Sequence, residues 1–115
     1  MPARSSSRAT ASPRVSAPIF AALGDETRLR LVARLCAGGP MSITRLTAGT
    51  NVTRQAISKH LRVMEHAGLV RSVKHGRERV WRLQRRRLEA AQHYVEIISK
   101  QWDQALSRLR RLVED

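Results

Sequence analysis

Aromatic residues are scarce in this chain: two Trp, one Tyr and one Phe, 3% of 115 residues. Unpaired bases are held largely by stacking on aromatic faces, so this scarcity speaks against single-stranded DNA or RNA loops as the ligand. Cysteine is nearly missing too. Cys36 stands alone, which excludes an internal disulfide and any Cys-x-x-Cys pair for zinc or redox chemistry, and points to a reducing, cytoplasmic setting. Acid is the third shortage: 9 Asp and Glu face 22 Lys and Arg, a formal charge of +13. Such an excess says little about fold and much about partners, and with so few rings the polyanion it suits best is duplex DNA. No uncharged apolar run reaches the ~18 residues of a membrane span, and no apolar block follows a basic segment near the start. Neither a membrane helix nor an exported protein is expected. What the chain does have is 42% hydrophobic residues, enough for one core at this length.

Residues 1–16 hold five Ser, three Arg and two Pro with no acid, a mixture too poor in large apolar groups to repay the entropy of ordering. A disordered basic arm is expected there, followed by one folded domain over residues 17–115. Its composition also suits an organellar transit peptide, but no amphipathic pattern accompanies it. From Pro18 the spacing turns helical through Ile19, Phe20 and Leu23. Asp25 can cap a second helix carrying Leu29, Leu31, Val32 and Leu35, which Gly38, Gly39 and Pro40 must stop. Ser42 can cap a short third helix with Ile43 and Leu46, and Thr53 a fourth. Val70, Val73, Val80, Trp81 and Leu83 are strand formers broken at His75 and Gly76, which predicts a two-stranded hairpin. Beyond Arg85, Leu88, Ala91, Val95, Ile98, Trp102, Ala105, Leu109 and Leu112 recur at alternating steps of three and four. That seam is longer than an isolated small domain needs, so part of it is expected to meet a second copy across a two-fold axis.

The fourth helix turns Ala56, Ile57, Leu61 and Met64 one way and Arg54, Gln55, Ser58, Lys59 and Arg62 the other. A helix fits the B-DNA major groove, where arginine or lysine grips guanine O6 and N7, and glutamine pairs with adenine N6 and N7. Thr53 and the first free N–H groups of the helix can hold phosphate. Taken alone such a face is more often plain solvated surface; its company is what singles it out. The hairpin tip carries Lys74, His75, Arg77 and Arg79, and eight Lys and Arg lie between Arg71 and Arg87 against the single Glu78. A wing lying along the sugar-phosphate rail needs such density.

With these elements in place, the stretches "ALGDETRLRLVARL" (22–35), "TRQAISKHLRVMEHAGLV" (53–70) and "HGRERVWRL" (75–83) resemble the ArsR-type winged helix-turn-helix repressors of bacteria and archaea, over about residues 18–113. The resemblance implies a mainly α (α+β) fold of five helices with a two-stranded β-hairpin wing. It implies base reading by Arg54, Gln55, Ser58 and Lys59, and homodimers joined through the first and last helices, here Ile19, Phe20 and Leu23 with Val95, Ile98, Trp102 and Leu109. The expected function is repression of transcription by a homodimer on a palindromic operator, with nonspecific or architectural DNA binding as the alternative.

Many members of that family release DNA when a metal binds, but the family's thiol box falls here on Ser42 to Leu46, with hydroxyls in place of thiolates. Cys36, beside Leu35, reads as a buried structural cysteine. The family's other metal site needs two ligand pairs, and His93 with Glu96 supplies only one; a surface ion pair is the simpler reading. No metal or cofactor is expected, and a small-molecule effector is left open, with Trp102 read as ordinary seam packing. Nothing resembles an enzyme: no nucleophile with a base and an orienter, no phosphate-cradling loop, no acidic pair in an apolar surround.

Overall fold

The computed structural model describes residues 12–114. In chain order the elements are α1 (Pro13–Leu23), α2 (Glu26–Gly38), β1 (Met41–Ser42), α3 (Ile43–Thr47), α4 (Arg54–His66), β2 (Val70–His75), β3 (Glu78–Leu83) and α5 (Arg85–Glu114). Among the described residues this is the expected class, five helices with a hairpin wing. Of the expected arm, residues 1–11 lie outside the described residues. Residues 12–16 depart from expectation. Ser12 caps α1 by accepting from the Val15 N–H at 3.3 Å, and Pro13 takes the first helical position, where its missing N–H costs nothing. The helix therefore starts one and a half turns before Pro18, which it carries inside.

The next three helices start where a side chain can satisfy an orphan N–H. Asp25 accepts from Arg28 N at 3.0 Å, Ser42 from Arg45 N at 3.3 Å and Thr53 from Ala56 N at 3.1 Å. α2 runs to Gly38 and turns at Gly39. α4 closes with a Schellman-type end at Gly68, whose φ of 82° places it in the left-handed region. Leu69 N there donates to Met64 O at 2.9 Å. A Cβ at Gly68 would also come within 3.0 Å of Arg87 Nε.

The sheet has three strands in the order β1-β3-β2, all antiparallel, with Met41 opposite Trp81 and Val70 opposite Leu83. The β2–β3 hairpin is the expected two-stranded wing, and β1 adds a third strand to it: β1 is two residues long, too short to show any alternation, and it pairs with a strand some forty residues away in sequence. Helices and sheet enclose one core, in which Ile19, Leu46, Leu61, Met64 and Leu69 are fully buried.

Ile19 was expected at a dimer interface and is instead inside this core. On α1 it shares its face with Ser16 and Ala22, while Phe20, a hundred degrees round, is exposed beside Tyr94 of α5, ring centroids 6.3 Å apart. Leu23 is half-buried against the core. Cys36 is exposed, not buried, because Leu31 and Leu35 take the inward face of α2.

Ser16 is buried at 1% exposure and its Oγ has no hydrogen-bond partner among the described residues. An unpaired buried hydroxyl costs more than it returns, so Ser16→Ala is expected to raise stability by ~1 kcal/mol. A urea melt showing destabilisation would contradict this.

Only the amino-terminal part of α5 packs on the domain, through Leu88, Ala90, Ala91 and Tyr94. Val95, Ile98, Trp102, Leu109 and Leu112 continue the seam in the open, Trp102 at 64% exposure. The seam packing expected of Trp102 is therefore not made within one protomer. Among the described residues no helix is long and apolar enough to cross a membrane.

Candidate nucleic-acid interface

α4 buries Ile57, Leu61 and Met64, and this fixes what the rest of the helix presents. Arg54, Ser58 and Arg62 follow at four-residue steps in one row, and Gln55 and Lys59 stand in the next. All of these are exposed save Ser58, which is half-buried. Thr53, also exposed, has its hydroxyl engaged as the helix cap.

The wing faces the first row. Between β2 and β3, Gly76 (φ 67°) and Arg77 make a two-residue turn closed by the His75–Glu78 pair, and the left-handed glycine matches the twist such hairpins need. By register, Ser72, Lys74, Arg79 and Trp81 share one face of the hairpin, and Arg71, Val73, Val80 and Arg82 the other. Arg79 Nη1 donates to Ser72 Oγ at 2.9 Å, which ties its guanidinium along the first face.

Between α3, α4 and the wing lies a concave space of about 500 Å3. It is lined by Arg54, Ser58 and Arg62 from the helix, Arg77 and Arg79 from the wing, and Ile43 and Thr44 from α3. Of the expected DNA contacts, those five come together here. Thr53, Gln55, Lys59, Lys74 and His75 are exposed beyond its walls. None of the ten makes an ion pair with a carboxylate among the described residues. The lining adds three residues that the sequence pattern did not single out, Thr44, Ser72 and Glu65, and includes Glu78, the one acid of the wing. The two acids sit at the ends of α4 and the wing, where they limit how uniformly positive the concavity is.

α3 and the turn before α4 are fixed by a residue the sequence also left unmarked. Arg34 of α2 donates to the carbonyls of Arg45 and Leu46, each at 2.8 Å, and of Ala48 at 3.0 Å. Those are last-turn carbonyls that a five-residue helix cannot satisfy by itself. On the other flank, Asp25 and Arg28 reach His60 on the buried side of α4. The Asp25 carboxyl is held below its ordinary range, first by the Arg28 N–H, with the Arg28 guanidinium and His60 adding to the effect against partial burial.

His93 Nδ1 and Glu96 Oε2 are 3.9 Å apart on the exposed surface of α5. No group of three or more His, Cys, Asp or Glu suited to a metal occurs among the described residues.

Residues 23–73 match the family described as "Helix-turn-helix domain". An uncharacterised HTH-type transcriptional regulator of Bacillus subtilis is 43% identical over 68 residues, 54% of this chain and 74% of the relative. An HTH-type transcriptional regulator of Mycobacterium tuberculosis is 34% identical over 93 residues, 81% of this chain and 83% of the relative. Among solved structures, an ArsR-like transcriptional regulator from Rhodococcus sp. RHA1 superposes with a TM-score of 0.75 at 36% identity, covering 86% of this chain and 92% of that one.

Proposed function

Because the chain belongs to the ArsR-like family of helix-turn-helix transcriptional regulators, we propose that it represses transcription as a homodimer that reads a palindromic duplex operator. In this reading α4 enters the major groove. Arg54 and Lys59 take guanine edges, Gln55 takes adenine, and Ser58 and Arg62 complete the reading face. Lys74, His75, Arg77 and Arg79 hold the neighbouring sugar-phosphate backbone, with the Thr53 end of the helix on a further phosphate. The observation that carries the proposal is the concavity in which Arg54, Ser58 and Arg62 face Arg77 and Arg79. A solvated helix face needs no second positive wall opposite it, and a duplex does.

The dimer follows from α5. At 1.5 Å per residue its 30 residues span ~45 Å, and most of its apolar seam finds no partner within the protomer. Exposed apolar surface so continuous marks an interface. Phe20, on α1 beside Tyr94, lies next to the start of that seam and supports its inclusion in the contact. Two copies bring +26 of formal charge to the duplex, twice the +13 of one chain.

Duplexes enriched from a random-sequence pool test this reading. At ~0.15 M salt the enriched duplex should bind at least ~10³-fold more tightly than random duplex. Equal affinity for both would favour the alternative, nonspecific or architectural binding driven by charge alone.

A further inference from the structure

Arg28 joins three pieces of chain. Its Nε donates to the carbonyl of Ala22 in α1 at 2.6 Å, its Nη1 lies 3.2 Å from Nδ1 of His60 in α4, and its own N–H is capped by Asp25 at 3.0 Å. The same Asp25 Oδ2 stands 3.8 Å from His60 Nδ1. One ring nitrogen therefore has two rival neighbours: a guanidinium that can only donate and a carboxylate that can only accept. While the ring is neutral, contact with Arg28 requires Nδ1 to accept, which leaves the ring proton on Nε2. Once the ring is protonated Nδ1 becomes a donor. The Arg28 contact turns repulsive, and the Asp25 contact turns attractive.

Asp25 remains ionised throughout the imidazole range, since its carboxyl is held low chiefly by the Arg28 N–H. The other charges of α2 are engaged elsewhere, Arg30 with Glu26 and Arg34 with the end of α3. Arg14 of α1, Arg45 of α3, and Arg71 and Lys74 of β2 belong to elements packed on α4, yet none makes a hydrogen bond or ion pair with the ring among the described residues. On α4 itself, His66 lines with Arg28 a shallow apolar hollow bounded by Pro18 and Val63. His60 sits between Lys59 and Arg62 in sequence, on the flank opposite the reading face and beside the buried row of Ile57, Leu61 and Met64, so a change in what holds its ring acts on the seating of the helix that carries that face.

Resting on the DNA-reading role of α4, we propose that Arg28 is a positioning residue for the recognition helix, acting through neutral His60, and that protonation passes the ring to Asp25 and weakens sequence discrimination. Ile57, Leu61 and Met64 keep the helix in the core, and the exchanged contact tilts it slightly toward the α1–α2 junction, while the wing keeps its hold on phosphate. Specific binding falls and nonspecific binding does not.

The probes are a duplex enriched from a random pool at about pH 7.5 and a scrambled duplex of equal length, titrated at constant ionic strength at about pH 7.5 and at about pH 5.5. For the native protein the enriched-to-scrambled affinity ratio should drop about tenfold by about pH 5.5, the size of one charge-assisted hydrogen bond. His60→Asn keeps an acceptor where Nδ1 stood and takes up no proton, so its ratio should stay high at both pH values. Arg28→Met should show the low ratio at both, with scrambled-duplex affinity and thermal midpoint near native. A general structural role would instead lower the midpoint and both affinities together. Identical pH profiles for native protein and His60→Asn would overturn the proposal, and this comparison decides it even where Arg28→Met does not fold. If no duplex is preferred over scrambled sequence at any pH, the DNA-reading assignment itself fails and takes this one with it; a preference indifferent to pH and to His60→Asn sinks this one alone.

Discussion

A chain carrying Trp102→Glu together with Leu109→Glu is expected to run as a monomer in sedimentation velocity and to bind a two-half-site duplex roughly 10²- to 10⁴-fold more weakly than the native protein. Both residues lie in the open on α5, at 64% and 57% exposure, one heptad apart. Two carboxylates there would be desolvated against apolar side chains of the second copy, which costs several kcal/mol for each unpaired charge. The protomer core does not include either residue, so its melting should change little. The loss on DNA comes from linkage. When two reading helices are held one duplex turn apart, the second half-site binds at high effective concentration, and separated chains forfeit that term. A variant that stays dimeric would refute the seam as the dimer contact, and native-like affinity from a demonstrated monomer would refute the linkage of the two half-sites.

The second large effect separates reading from gripping. Arg54→Ala should cost ~1–3 kcal/mol of discrimination at one base position in each half-site, and Gln55→Ala a similar amount at another. Affinity for random duplex should move far less. Arg77→Ala, at the wing, should weaken binding to every duplex alike and make the salt dependence shallower by ~1 per protomer. Binding-site selection repeated with each variant, together with a salt titration, measures both quantities. Equal losses on enriched and random DNA from the helix substitutions would remove α4 from the reading role.

Much of this architecture is legible in the residues because its signals are local. The Gly38-Gly39-Pro40 stop, the caps at Asp25, Ser42 and Thr53, the inward set Ile57, Leu61 and Met64, and the Gly76 turn each follow from geometry within a few residues. The start of α1 was equally local but was masked: Ser12 and Pro13 are an ordinary cap and first position, set in a stretch whose composition reads as an arm. Other features depend on distant partners and have no sequence signature. β1 exists because Met41 meets Trp81. Ile19 and Phe20 are adjacent apolar residues, and only the packing of α1 on the other helices decides which of them is buried. Cys36 sits next to Leu35 yet points away from the core. Arg28 and Arg34 belong to a run of basic residues that charge counting assigns to solvent, but their reach lets them bind carbonyls and an imidazole on other helices. The concavity lies at an intermediate level: both walls were readable, Glu78 among them, and the acid Glu65 within it was not.

Stoichiometric titration of the enriched duplex against a version with one half-site scrambled goes most directly to the heart of the account. Two chains should bind the intact duplex, with affinity falling at least ~10²-fold when one half is scrambled. One chain per duplex, or indifference to the scrambled half, would contradict it.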